Sequence, residues 1–512
     1  MGCVQSKDEN DISVTERVMG GRQGIGSSER IHRRGEGKKL AAAKRARELA
    51  LAQAAENEER APPKLNESGQ LMKEEVVKRI KGSIQSKDAV IGDIRSGKDE
   101  DLIHVSYAAL SQRGYYPDDP HKENQDDYYI CASNFGAGEG DAFFAVFDGH
   151  GEKGHDCARF AKKKLPTMLA ANIKKKRAAK NAKMIKQMIE NGVEKPQNAF
   201  HPSNWPYLDE PEYEKACREA HIKCNNAMHD EKAVKDKLSG TTSISVGFHA
   251  GKMTVSNVGD SRAILGYRVG GDIGGSSPSE EEKKEITSED DVELTDAAGV
   301  KYEPGSLLAI PLSDDQTPYR KDERKRLRKS GARILTIDQL EGRRPVNEAF
   351  DDLNLGEDID EEGDMPRVYC QDHNYPGTAF SRSLGDSIAE DIGVNGEPEI
   401  LTKSVTRGDE ILIIASDGVF EFLTNQRMID ICAACNDPLE ACNKLLGASY
   451  EQWLNYEVRT DDISCIVLFM KSGKADDVAE VSRILKKADC GAKAMTKTSA
   501  AQSMKAIDSS IC

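Results

Sequence analysis

The stretch Phe143-Phe144-Ala145-Val146-Phe147-Asp148-Gly149-His150-Gly151 carries more of the fold than any other part of the chain. An apolar run of strand length passes straight into an Asp-Gly pair and a histidine, so a buried strand ends on a carboxylate at a tight turn. The same grammar recurs three times. Ile411 to Ser416 leads into Asp417-Gly418, Asp461-Asp462 stands directly before Ile463 to Phe469, and Asn124-Gln125-Asp126-Asp127 precedes Tyr128-Tyr129-Ile130. A single Asp-Gly after a strand is ordinarily a turn, and a lone histidine there is ordinarily a hydrogen-bonded structural residue. Four strand-edge aspartate sites are hard to explain as four independent turns. Strands that end together converge their carboxylates in one cleft, where like charges repel unless a cation or proton neutralises them. Hard oxygen ligands of this kind select Mg, Mn or Ca.

Working outward, short apolar runs alternate with longer amphipathic ones from about Leu102 to Met470. Strands are expected at Phe143 to Phe147, Thr242 to Phe248, Met253 to Val258, Ile411 to Ala415 and Ile463 to Phe469, and helical stretches at His155 to Asn191, Glu212 to Lys235 and Gln426 to Tyr450. This is an α+β domain, placed at residues 101–472. Residues 1–100 read as a leader, a basic Ala/Lys/Arg/Glu helix and a linker, and residues 473–512 as a tail. Two acidic patches, about 270–300 and 350–365, read as disordered surface insertions.

Composition excludes some classes. No run approaches the roughly 18 apolar residues of a membrane span, and the start of the chain lacks the apolar core of a secretion signal. Twelve cysteines without paired spacing are then expected as reduced cytosolic thiols. The net charge of -15 comes from residues 271–300 and 351–364, which together carry -16. The rest is near neutral, with basic blocks at Arg33 to Arg47 and Arg320 to Arg333, so net charge does not identify the substrate.

Eight short motifs in order resemble the metal-dependent Ser/Thr protein phosphatases of type 2C, over roughly residues 104–470. They are Glu123 to Asp127, Phe147 to Gly151, Ser239 to Thr242, Asn257 to Ala263, Phe380 to Asp386, Glu397 to Glu399, Ala415 to Gly418 and Asp461 to Ser464. The resemblance implies a four-layer α-β-β-α sandwich, two antiparallel sheets flanked by helices. It also implies two Mn or Mg ions, with Asp148 bridging them, Gly149 lending its carbonyl, and Asp417 and Asp461 completing the first. Asp126 is similar to the family's aspartate that holds metal-bound water, Asp260 to the one near a weaker third metal, and Glu421 to an acid beside it. His150 would be the general acid. The implied activity is hydrolysis of phosphoserine and phosphothreonine in proteins by a metal-bridging hydroxide, without a phosphoenzyme.

Two departures stand out. Gln125 occupies a position where many members carry Glu; its amide offers an oxygen to the second metal but no charge. The family's phosphate-gripping Arg is replaced locally by His121, Lys122 and Glu123. Lys122 is assigned that role as a point charge, with Arg113 a distant alternative. These departures motivate the rival reading, a pseudophosphatase that binds phosphoproteins without turnover, while Asp148, His150, Asp417 and Asp461 argue against it. Arg382 and Asp386 read as structural, and the Arg320 to Arg333 run as a solvated helix face.

Met1-Gly2-Cys3-Val4-Gln5-Ser6 fits the myristoylation template, with Gly2 as acceptor and Cys3 as a palmitoylation site. One acyl chain binds membranes marginally, so Cys3 or the Arg33 to Arg47 cluster supplies the second signal. The expectation is a monomeric enzyme held at the cytoplasmic face of a membrane, the plasma membrane favoured, with some cytosolic. Its partners are phosphoproteins and the bilayer, not nucleic acid.

Overall fold

A computed structural model of the chain describes residues 83–93, 96–119, 121–192, 201–270, 302–346 and 364–489. The leader through residue 82, both acidic patches apart from their outermost residues, and the end of the tail lie outside the described residues.

Two antiparallel sheets form the centre. The first has six strands in the order β1 (Ser83–Gly92), β2 (Leu102–Gln112), β17 (Ile463–Ser472), β16 (Asp409–Ala415), β9 (Arg262–Arg268), β10 (Leu307–Pro311). The second has five, in the order β15 (Glu399–Ser404), β8 (Lys252–Val258), β7 (Ser243–His249), β4 (Ala142–Phe147), β3 (Asp127–Cys131). Two small sheets complete the set: β14 (Leu384–Gly385), β6 (Ser239–Thr241), β5 (Gly149–Gly151), and β11 (Arg333–Leu335), β12 (Arg367–Tyr369), β13 (Pro376–Thr378).

Three apolar layers explain the stacking. Phe144, Val146, Val246 and Val255 from one sheet meet Val105, Leu265, Leu412 and Ile466 from the other. The opposite face of the five-stranded sheet, with Phe143, Ala145 and Phe147, packs on α1 (Gly154–Glu190) and α2 (Glu210–Asp230). The opposite face of the six-stranded sheet packs Ile413, Cys465 and Val467 against helices C-terminal to α3 (Lys321–Lys329) and α4 (Ser387–Glu390). These are α5 (Asp417–Phe420), α6 (Asn425–Ala433) and α7 (Pro438–Tyr456). The result is the expected α-β-β-α sandwich. β4 has apolar residues on both faces because both faces are covered, so every one of its residues is buried.

Boundaries differ in three places. Ser83–Gly92, assigned to the linker, is the edge strand of the six-stranded sheet, with Ile91 fully buried. Its few apolar residues give an edge strand little pattern to recognise. The segment assigned to the tail contains α8 (Val478–Asp489), whose Val481, Ile484 and Leu485 enter the inter-sheet core. The stretch Gln426 to Tyr450 is two helices rather than one. Pro438 cannot continue a helix, and the Asp437 carboxylate caps the second by accepting from the Leu439 and Glu440 amides.

Strand register places the site. Asp127 pairs with Phe147, Ala415 with both Cys465 and Arg262, and Ile463 with Gln112. Asp126, Asp148, Asp260, Asp417 and Asp461 therefore all leave the strands at the same end of the sandwich.

Candidate active site

Hydrogen bonds at that end hold the main chain of Asp148 and the carboxylates of Asp126 and Asp461. Asp148 is held by its main chain, its amide donating to Thr242 Oγ1 (3.0 Å) and its carbonyl accepting from the Thr242 amide (2.8 Å). Its side chain is left to the cleft, within reach of Asp417. The Gly149 amide donates to the Gln125 carbonyl (3.2 Å). A Cβ at Gly149 would lie 2.4 Å from the Gly154 carbonyl oxygen and 2.6 Å from that of Gln125, so only glycine fits. Asp126 accepts from Ser416 Oγ at Oδ2 (2.8 Å), while its Oδ1 is buried without a hydrogen-bond partner among the described residues. Asp461 Oδ1 accepts from Tyr116 OH (2.6 Å) and the Asp462 amide (2.8 Å).

Electrostatics follow from burial. Asp126 and Asp148 are pushed well above the usual carboxylate range, first by burial and then by neighbouring carboxylates. Asp260 moves the same way, by burial and then Asp417 and Asp315. Asp417 is raised to about 6 by burial and Asp461, and Glu421 to about 8 by burial and Asp417. A different acidic trio shows the contrast. Asp322, Glu323 and Glu399 bring ligand-type oxygens within 4.8 Å of one another, yet Arg326 and Arg382 hold Glu323 down at about 2 against the opposing effect of its burial. Arginines neutralise that trio. Among the described residues no cation is paired with Asp126, Asp148 or Asp417, and Lys122 reaches only Asp461, at 4.0 Å; with the unpaired Asp126 oxygen these carboxylates fit divalent cations. A two-metal centre distributes its ligands around two ions, so its carboxylates need not form one tight trio.

The remaining predicted residues fall unevenly. Lys122 Nζ stands 4.0 Å from Asp461 Oδ1 and 3.8 Å from the Tyr116 ring centroid, at the cleft. Arg113 is engaged elsewhere: its guanidinium donates to the carbonyls of Lys122, Gly114 and Asp119, bracing the loop that carries Lys122. Gln125 donates its amide nitrogen to the Gly151 carbonyl (2.6 Å), a bond that a carboxylate could not make and that leaves its amide oxygen uncommitted. His150 Nε2 lies 2.5 Å from Asp386 Oδ2. Arg320 and Arg326, read as part of a solvated face, pair with Glu399 and Glu323. Gly2 and Cys3 lie outside the described residues.

Several site residues escaped the sequence reading. Asp462 accepts from the Gly114 amide at Oδ1 (2.7 Å) and from the Gln125 amide at Oδ2 (2.8 Å), tying two loops to the start of β17. Tyr116 supports Asp461, and Asp315 pairs with Arg262 through two oxygens. Asp315 carried a usable signal, an acidic pair just beyond the apolar run that forms β10. Tyr116 carried none.

The family model described as Protein phosphatase 2C matches residues 121–272 and 305–452. The chain belongs to the protein phosphatase 2C family. A curated relative from Arabidopsis thaliana, "Probable protein phosphatase 2C 35", is 36% identical over 388 residues, 74% of this chain and 90% of that protein. Another from Oryza sativa subsp. japonica, "Probable protein phosphatase 2C 48", is 27% identical over 355 residues, 68% of this chain and 80% of that protein. The "Crystal structure of serine-threonine phosphatase 2C from Toxoplasma gondii" aligns with a TM-score of 0.48 at 15% identity, covering 76% of this chain and 99% of that one. This phosphatase 2C is a protein Ser/Thr phosphatase, and the family is generally Mn- or Mg-dependent.

Proposed function

We propose that this phosphatase 2C hydrolyses phosphoserine and phosphothreonine at the strand-end cleft, with Asp148, Asp417, Asp461, Asp126 and the Gly149 carbonyl holding two Mn or Mg ions. Asp260 and Glu421 stand beside them. The observation that carries this reading is the trio Asp126, Asp148 and Asp417, buried or half-buried side by side with no cationic side chain paired to any of them among the described residues. When bound, such ions supply the charge that acidifies a shared water and offsets that of the phosphoryl group. The protein's own residues do the rest. Lys122 attracts the phosphate as a point charge, and Tyr116 keeps Asp461 turned the right way. His150 donates a proton to the departing serine or threonine oxygen.

The second part of the proposal is an address. Gly2 and Cys3 accept acyl chains, and with the basic Arg33 to Arg47 segment they hold the enzyme, as a monomer, at a cytoplasmic membrane face. Equilibrium Mn binding tests the first part: two ions per wild-type chain, fewer in Asp148→Ala and Asp417→Ala, with unchanged stoichiometry refuting it. Membrane partitioning tests the second, since Gly2→Ala should move the protein to the soluble fraction.

A further inference from the structure

We infer that Asp386 is the positioning residue for His150, gripping Nε2 so that Nδ1 is the nitrogen that serves the leaving group. This rests on the reading of His150 as proton donor and adds the device that aims it. Nε2 is 2.5 Å from Asp386 Oδ2, and the Ser383 hydroxyl donates to the same oxygen (2.7 Å). Asp386 is buried, and His150 Nδ1 has no partner among the described residues. The Phe380 ring lies 4.1 Å from the imidazole, centroid to centroid, and covers it.

The main chain is built around this contact. Asp386 is in the left-handed conformation (φ 50°, ψ 45°), which is unfavourable for a residue with a side chain and which Asp tolerates better than most. It is held there by its amide donating to the Ser239 carbonyl (3.0 Å) and its carbonyl accepting from Ala389 (2.7 Å) and Glu390 (3.1 Å). In the small sheet Gly240 is paired with both His150 and Gly385. A Cβ at Gly240 would come within 2.2 Å of Asp386 Oδ2 and 2.8 Å of His150 Nε2, so a side chain there would separate the pair. An unusual backbone conformation, a required glycine and a second donor on the same oxygen all serve one hydrogen bond. Strained residues of this kind concentrate at functional sites. In the step itself a hydroxide oxygen bonds to phosphorus as the P–O bond to the serine or threonine oxygen breaks; the Nδ1 proton of the imidazolium moves to that leaving oxygen, and the remaining proton stays on Nε2, donated in a hydrogen bond to the Asp386 carboxylate.

The test compares Asp386→Asn, His150→Ala and the double variant on a phosphothreonine peptide, a poor leaving group, and on p-nitrophenyl phosphate, a good one. Asn keeps the shape and accepts the left-handed backbone. Asp386→Asn should lower kcat on the peptide by about 10- to 100-fold with KM little changed, lower it far less on the aryl ester, and add nothing in the His150→Ala background. Equal losses on both substrates, or additive losses in the double variant, would overturn the assignment. If His150→Ala itself slows both substrates equally, the proton-donor reading fails instead. Should Asp386→Asn not fold, Ser383→Ala replaces it, with a several-fold loss confined to the peptide expected and an unselective loss counting against the proposal.

Discussion

Gln125→Glu replaces the residue at which this chain departs from many of its relatives, and the structure assigns it a cost. The amide nitrogen donates to the Gly151 carbonyl at 2.6 Å from a side chain that is nearly buried. A carboxylate there cannot donate, so the Gly151 oxygen loses its partner, at about 1–3 kcal/mol. The new charge also stands next in sequence to Asp126, itself pushed up by burial and neighbouring carboxylates, and an uncompensated buried charge costs about 3–5 kcal/mol. The metal-free variant should therefore be about 4–8 kcal/mol less stable at pH 7.5. Gln125→Met, which loses only the donor, should be about 1–3 kcal/mol less stable. Lowering the pH protonates the new carboxyl and restores a donor. Its folded-state pKa lies above the unfolded one, so the deficit grows as pH rises and shrinks toward pH 5. Mn should also narrow the gap, since a cation compensates the charge. The assay is thermal unfolding of the three proteins in EDTA and in Mn, at pH 5 and 7.5. A Glu variant as stable as wild type in EDTA at pH 7.5, or a Met variant less stable than the Glu variant, would refute the reasoning.

Other expectations follow from the same geometry. Tyr116→Phe removes the hydroxyl on Asp461 Oδ1 and should weaken Mn binding about 10- to 100-fold by titration, with melting in EDTA nearly unchanged. Gly149→Ala places a Cβ against two carbonyl oxygens and should abolish turnover while lowering stability by about 1–3 kcal/mol, read by unfolding in EDTA. Metal-free protein should lose stability as pH rises from about 4 to 8, because Asp417 and Glu421 titrate in the folded state at about 6 and about 8, above their unfolded values. Mn should flatten that profile. A pH-independent melting temperature in EDTA would contradict the electrostatic description of the cleft.

The parts of the fold legible in the sequence were those with a local pattern. β4 announced itself because both its faces are covered, and Asp148, Asp417 and Asp461 because each sits next to a strand end. β1 was missed because an exposed edge strand needs few apolar residues, and α8 because its charged residues matched those of the tail. Within the cleft, residue type foretold which carboxylates gather but not what supports them. The partners of Asp462 are the Gly114 and Gln125 amides, more than 300 residues away, and no local spacing encodes that bond. Gln125 illustrates the same limit: its residue type suggested a metal-facing oxygen, and the bond it makes depends on where the Gly151 carbonyl lies after folding.

The most direct measurement is phosphate release from a phosphothreonine peptide by the full chain with Mn, with Mg and with EDTA, beside Asp148→Ala. Release that requires the metal and disappears in folded Asp148→Ala is the outcome expected here. Release that persists in EDTA, or that survives the loss of Asp148, would contradict the central claim that the strand-end carboxylates do their work by holding divalent ions.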